Sequence, residues 1–317
     1  MSRQLIIDTH AHFGVPENKV LESMRTEKTY EVDCLLQDLA TLKEMAGSEN
    51  GDLLEDHNFL EDYLTCMEEN HVQMSWLHQL SFEKILGYQV LSNEQISQAI
   101  RTYPGKFRGF ASVDPNQDTK AAVEELDHAI RVLGLHAFKL NPNDYGGFDL
   151  NDPEKLYPLY EKCCELNIPV SVHTGITPSC IFRMKHNNPI LLDDVAVDFP
   201  DLVLIVEHMG HPWNDLCYNM VSRHKNMYLT ITAVANVLIH SRPAVFRMEL
   251  SKMIAIIGSE KILWGSDWTA TPNMKEVLTY LNKVSIPLPM RLMMGVKQIT
   301  KQDIDNIVGL NALRILK

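Results

Sequence analysis

No stretch of the 317 residues stays apolar long enough to cross a bilayer: the longest runs, such as Leu202–Val206, are strand-sized, and a spanning helix needs about 18 apolar residues. A secretory signal is missing as well, since Leu5–Ile7 runs straight into Asp8 and His10 where a signal needs a sustained apolar segment. Among the 6 cysteines no CxxC spacing occurs, only the adjacent pair Cys163–Cys164. That excludes a zinc ribbon or a dithiol redox motif and points to a reducing, cytoplasmic setting. Basic stripes are absent too. With 29 Lys and Arg against 41 Asp and Glu, the net charge of −12 removes the footprint of a phosphate-backbone binder, so neither nucleic acid nor a membrane is an expected partner. The acidity is lopsided: residues 1–70 hold 5 basic and 16 acidic side chains, and the remainder is almost neutral.

The chain has no internal repeat, low-complexity tract or Ser/Gly linker to mark a second domain, and no GxGxxG follows its first apolar run. What it does have is a core-forming composition, 45% hydrophobic and 22% charged. Short apolar or β-branched runs bounded by turn residues recur at Leu5–Asp8, Val72–Leu77, Arg108–Val113, His136–Leu140, Val170–His173, Leu202–Glu207, Met227–Ile231 and Ile262–Gly265. Helical periodicity fills the gaps, as in Thr119–Leu133 and in Pro153–Leu166, the latter with Asp152 as N-cap and Pro153 at the first helical position. Strands alternating with helices pair in parallel. Successive runs start 25 to 36 residues apart, except the first two, which start 67 apart. The pattern predicts an α/β fold, a (β/α)8 TIM barrel forming a single domain over residues 1–317, with a helical insertion at about 15–70 after strand one. The insertion carries the acidic excess and is expected to be a lid or dimerisation element.

In such a barrel, the side chains that do chemistry project from the carboxyl ends of the strands. Strand one ends Asp8-Thr9-His10-Ala11-His12, and alternation puts both imidazoles on one side as a chelating pair. Strand five ends His173-Thr174-Gly175, strand six Glu207-His208-Met209-Gly210, and strand eight Gly265-Ser266-Asp267-Trp268. One histidine near a strand end is ordinarily a satisfied core or surface residue; four strand ends offering His or Asp together point to a metal. His10, His12, His173 and Asp267 suit one borderline divalent ion, Zn2+ first, with Mn2+, Fe2+ or Co2+ as alternatives, and leave room for a water whose pKa the ion lowers. His208, surplus to that set, is the candidate acid/base residue, while Asp267 combines ligation with proton shuttling. Asn141 and Trp268 are candidate substrate contacts, with His78, Asn143, His211, Trp213 and Thr269 as further pocket residues. Arg183 is the cation nearest the site in sequence and the candidate clamp for a substrate carboxylate, with Arg242 and Arg247 behind it. Trp76 reads as core, and His136 falls toward the barrel bottom.

The first-strand HxH, the HTG of strand five, the EHMG of strand six, the GSDW of strand eight and Gly309-Leu310-Asn311-Ala312-Leu313-Arg314 together resemble the amidohydrolase superfamily. More narrowly they resemble its amidohydrolase-related (amidohydrolase 2) branch, which includes aminocarboxymuconate-semialdehyde decarboxylase, resorcylate-type decarboxylases and lactone hydrolases. The resemblance runs from Asp8 to Arg314 and implies the same four ligands, the same role for His208, and a homodimer. In binuclear members a lysine on the fourth strand is carbamylated and bridges two ions, and Lys139 occupies that place. The bridge requires a buried neutral amine. The alternative is a cationic Lys139 that holds a substrate oxyanion or an acidic neighbour beside a single ion, the usual arrangement of this branch.

The expected function is therefore a metal-dependent hydrolase that opens an ester, lactone or amide of a small organic substrate through activated water. Its chief rival is a non-oxidative decarboxylase of an aromatic or muconate-type carboxylic acid at the same site, with His208 assisting protonation at carbon. A non-catalytic barrel binding a metabolite or metal is the third reading, against which the complete ligand set argues. Hydrolysis stands first because only Arg183 is a credible carboxylate binder close to the site and because GSDW resembles hydrolase members.

Overall fold

The computed structural model describes residues 4–12, 59–81, 89–177, 181–268, 270–271 and 273–316, with single helical positions between 34 and 45. Most of the expected insertion, and Thr269, lie outside the described residues. All eight expected strands form: β1 (Ile7–Ala11), β2 (Met74–His78), β5 (Phe107–Ala111), β6 (Ala137–Leu140), β7 (Val170–Val172), β8 (Leu204–Val206), β9 (Met227–Thr230) and β10 (Ile262–Leu263). A short antiparallel pair, β3 (Leu80–Ser81) and β4 (Gln89–Leu91), follows β2 and has no counterpart in the sequence reading. The eight pair in parallel in chain order. Closure comes from backbone bonds between the first strand and the segment after the last. Thr9 N–H donates to Trp264 O at 3.1 Å, Asp267 N–H to His10 O at 2.8 Å and His12 N–H to Trp268 O at 2.6 Å. The result is a (β/α)8 barrel.

Some helices start where polar side chains can take up the free N–H groups of the first turn. Asp118 caps Thr119–Arg131 by accepting from Ala121 N–H at 3.0 Å, and Ser92 with Gln95 forms a capping box on Asn93–Thr102. One expected start shifts. Asp152 does accept from the N–H groups of Glu154 and Lys155, at 2.9 and 3.1 Å, but it caps only a turn, and the α-helix runs Tyr157–Leu166. Pro158 has no N–H to donate back to that turn, so continuous helical bonding cannot begin at Pro153. Phe59–Glu69, inside the segment expected as insertion, is the helix that leads from β1 to β2. No described helix is long and apolar enough to cross a membrane.

Inward side chains change character along the barrel axis. The lowest layer is apolar: Ile7, Trp76, Phe110, Ala137, Ile205 and Leu263, sealed below by Ala312 and Leu316. Two positions further along their strands, the residues after Trp76, Ala137 and Ile205 are His78, Lys139 and Glu207, all buried, and Glu207 contacts the other two as well as the buried Ser171. A larger apolar cluster, including Phe138, Val170, Leu204, Phe246 and Leu281, fills the space between sheet and helices. Each such side chain contributes about 1.5–3 kcal/mol on burial. The scaffold can therefore hold a buried polar layer at the strand ends.

Candidate metal centre and active site

At the end of β1, His10 Nε2 and His12 Nε2 approach to 2.9 Å, and Asp267 Oδ1 lies 3.5 and 3.7 Å from them. What holds each ring decides which nitrogen is free. His12 Nδ1 faces the His78 carbonyl at 3.0 Å and must carry the proton, so its Nε2 presents a lone pair. His10 Nδ1 faces Glu207 Oε1 at 3.5 Å, which leaves its Nε2 likewise aimed at the cluster. On the far side, His208 Nδ1 faces the Thr232 carbonyl at 3.4 Å, and its Nε2 meets His173 Nδ1 at 3.1 Å. His173 is then the donor of that contact, and its Nε2 is a buried lone pair with no hydrogen-bond partner. Three histidines are thus locked in the tautomer that a metal requires.

The electrostatics agree. Burial, reinforced by Lys139 and by the rings' own proximity, pushes His10 and His173 well below the usual histidine range and His12 to about 4. His208 falls to about 3 from burial and Lys139. Neutral imidazoles are the form that ligates. Asp267 moves the other way, to about 7, chiefly from burial and then from the Glu207 carboxylate. Two facing lone pairs at 2.9 Å beside a carboxylate call for a cation between them, so His10, His12 and Asp267 fit a divalent ion, with the unpartnered Nε2 of His173 as a further donor.

Backbone features bring these groups together. His208 (φ 57°) and Asp267 (φ 54°) lie in the left-handed region, a conformation that costs non-glycine residues about 1–3 kcal/mol and turns both side chains off their strand ends. Gly265 lets the last strand end approach the first: a Cβ there would sit 2.7 Å from His10 Cβ. Asp8, fully buried, spans the same seam. Its carboxylate accepts from His10 N–H (3.1 Å), Ser266 N–H (2.8 Å), the Ser266 hydroxyl and the Tyr63 hydroxyl (2.7 Å). His78 is sandwiched between His10 and Phe110, ring centroids 4.2 Å away on each side, and bonds to the Thr9 carbonyl at 3.0 Å. Beneath them Lys139 donates to Glu207, whose other oxygen accepts from Ser171 Oγ at 2.6 Å. This contact fits the role of Lys139 beside an acidic neighbour.

A cavity of about 530 Å³ opens above the cluster, floored by His12, Lys139, His173, His208 and Asp267. Asn141, Asn143 and His211 line it, as do Asp38, Thr41 and Met45 from the segment after β1. One wall is apolar: helix Val234–Ser241 contributes Val234, Val237 and Leu238 at helical spacing, and Val245 continues it. Two expected contacts lie elsewhere. The exposed Arg183 does not line the cavity; its backbone N–H donates to Asn143 Oδ1 at 3.3 Å and its carbonyl accepts from His186 N–H at 3.3 Å. Trp268 tilts onto Tyr63 at 5.6 Å rather than into the cavity. Arg242 takes the place expected of Arg183, as a cavity residue at the mouth, while Arg247 does not line it. His136 sits at the barrel bottom, its Nδ1 accepting from Gly109 N–H at 3.3 Å. The sequence reading passed over Asp8, Glu207 and Glu249. For Glu207 a signal existed, since it stands two residues after the inward Ile205.

An eight-stranded parallel barrel carrying buried histidines and a carboxylate at its strand ends is a TIM barrel with a candidate metal site where such barrels place their chemistry. The family model described as Amidohydrolase matches residues 7–317, and the chain belongs to that family. It is similar to 2-amino-3-carboxymuconate-6-semialdehyde decarboxylase of Dictyostelium discoideum, 23% identical over 253 residues, which cover 71% of this chain and 65% of that protein. It is also similar to 2-keto-4-carboxy-3-hexenedioate hydratase of a Sphingobium species, 29% identical over 135 residues, which cover 37% of this chain and 39% of the hydratase. The chain thus spans just under two thirds of the first relative and about two fifths of the second. Among solved structures, the 5-carboxyvanillate decarboxylase of Novosphingobium aromaticivorans, with bound manganese, superposes with a TM-score of 0.68 at 16% identity over 98% of this chain and 96% of that one. The probable 2-pyrone-4,6-dicarboxylic acid hydrolase of Acinetobacter baumannii gives 0.60 at 15% identity over 98% of each chain.

Proposed function

We propose that this chain is a metal-dependent carboxy-lyase that removes CO2 from a small aromatic or unsaturated carboxylic acid. The observation that carries the proposal is the cavity itself, in which a metal-ligating floor meets an apolar wall with Arg242 at the rim. A carboxylate carries charge and the departing CO2 does not, so apolar walls that strip water from the carboxylate favour its loss. Hydrolysis instead builds an oxyanion that needs fixed donors. The cationic donor at the floor, Lys139, is already engaged by Glu207. The relatives named as decarboxylases support the same choice.

His10, His12, His173 and Asp267 would hold one divalent ion, which when bound supplies the positive charge that grips and polarises substrate oxygens. Imidazoles with a carboxylate suit Zn2+ or Mn2+, and manganese is the ion of the solved relative. His208 is neutral, with its Nε2 accepting from His173 Nδ1; turned out of that contact, the same nitrogen would take a proton from a substrate hydroxyl. Asp267 would ligate as a carboxylate, and its proton affinity, which burial raises in the ion-free site, fits it to take up a proton from solvent and pass it to the carbon that loses CO2. Arg242 draws an acidic substrate into the mouth. The second reading is hydrolysis of an ester, lactone or amide, favoured by the same neutral His208, which can take a proton from water. Metal-loaded protein assayed on hydroxybenzoates, muconate-type acids, lactones and esters decides between them. CO2 release without water-dependent acid formation is expected, and acid formation without CO2 would replace lyase by hydrolase.

A further inference from the structure

We propose that the outer end of the cavity is a subsite for an α-amino-acid head group, with Arg242 taking its carboxylate and Glu249 its ammonium. This rests on the carboxy-lyase reading, which assigns the opposite end of the substrate to the metal floor. Helix Pro243–Ile257 and the residue before it present Arg242, Val245 and Glu249 to the cavity. Val245 and Glu249, four residues apart, share one face of the helix. The neighbouring Phe246 and Leu250 are fully buried in the core, which fixes that face's orientation. Arg242 stands at the cap of this helix and Glu249 on its second turn, and both line the same cavity.

Glu249 is held in place rather than left to solvent. Its Oε2 accepts from the Tyr218 hydroxyl at 2.9 Å, and Tyr218 is completely buried. Asn214 Nδ2 donates to that same hydroxyl at 3.4 Å, and Asn214 Oδ1 meets His211 Nδ1 at 2.9 Å. His211, Asn214 and Glu249 all line the cavity, so the chain of bonds runs up its polar wall and ends at a carboxylate at the mouth. Lys252, one turn further on, is engaged with Asp215. Among the described residues, neither Arg242 nor Glu249 is ion-paired with the other or with anything else.

Arg242 alone would serve any second carboxylate. A fixed carboxylate beside it opposes a purely anionic end and attracts a group that carries both charges, and an α-amino acid presents them on one carbon. Val245 and Leu238 give the intervening hydrocarbon an apolar surface.

The test is calorimetric binding to the manganese-loaded protein of three matched probes: para-carboxyphenylalanine, the same molecule without its ammonium, para-(2-carboxyethyl)benzoate, and the same molecule without its distal carboxylate, para-(2-aminoethyl)benzoate. The amino acid is expected to bind about tenfold or more tightly than either analogue, the gain typical of one hydrogen-bonded charge. Glu249→Gln should erase the preference over the carboxyethyl probe, and Arg242→Gln the preference over the aminoethyl probe. Equal binding of the diacid and the amino acid, no binding of any probe, or an unchanged ranking in Glu249→Gln would each overturn the subsite. CO2 release from the bound amino acid is scored separately, so selective binding without CO2 would count against the carboxy-lyase reading and leave the subsite standing.

Discussion

Replacing Glu207 by Gln keeps the side chain's volume and its bond from Ser171, but leaves the Lys139 ammonium, 2% exposed, against a neutral amide. Removing one partner of a buried ion pair costs about 3–5 kcal/mol, because an uncompensated charge stays behind in the low-dielectric interior. At roughly 2 °C per kcal/mol for a domain of this size, Tm should fall by about 6–10 °C. Removing both charges, Lys139→Met with Glu207→Gln, takes away the isolated cation and should recover most of that loss. A double-mutant cycle should therefore return a coupling of at least about 2 kcal/mol. The measurement is urea unfolding and calorimetry at pH 7 on metal-free protein, repeated with manganese to separate ligand organisation from stability. If Glu207→Gln loses less than about 1 kcal/mol, or the double variant is no more stable than the single, Lys139 is not a buried cation. The bridging, carbamylated arrangement would then have to be taken up again.

Further predictions concern the site's parts. His12→Ala and Asp267→Asn should each lower bound metal and abolish turnover, whereas His208→Ala should keep one equivalent by elemental analysis and lose at least about 10²-fold in kcat, the usual share of a general acid or base; loss of metal in that variant would make His208 a ligand. His78→Asn gives up both ring stacks and the bond to Thr9, and metal affinity should fall about 10–100-fold with the fold intact by circular dichroism. An unchanged affinity would reduce His78 to packing. Asp144 is raised to about 8, first by burial, against an ordinary value of 3.8. The stability it contributes as a protonated acid is complete at low pH and is lost as pH rises through 8, so Asp144→Asn should flatten the decline of Tm between pH 4 and 8. Parallel curves for variant and wild type would show that this carboxyl does not titrate there.

The barrel was legible because strand runs and turn residues recur at a regular interval, and the clustering of the candidate ligands was legible because HxH, HTG, EHMG and GSDW all fall at strand ends, where geometry leaves few choices. What escaped notice lies off that register. Arg183 is nearer the histidines in sequence, yet Arg242 reaches the cavity because two consecutive helices, not a strand-end loop, build its outer wall. Lys139 and Glu207 look like separate strand residues until closure of the barrel sets them in contact. Asp152 carries the signature of a helix cap and does cap a turn, but Pro158 moves the helix start, an outcome settled by one missing N–H. The β3–β4 pair is too short to leave a periodic trace.

The Asp8 seam has a consequence for how the molecule comes into being. Asp8 and Ser266 are 258 positions apart, so joining them closes a loop that spans most of the chain, at a cost of about 5 kcal/mol in chain entropy. His10 and His12 stand on one lip of that seam and Asp267 on the other, and no partial barrel holds all three. During synthesis the site cannot exist until the eighth strand has emerged and docked, so uptake of the proposed ion would be a late event. Occupancy would then report that the ring is complete, and an ion bound there would fasten the first strand to the last as well as serve the proposed chemistry between them.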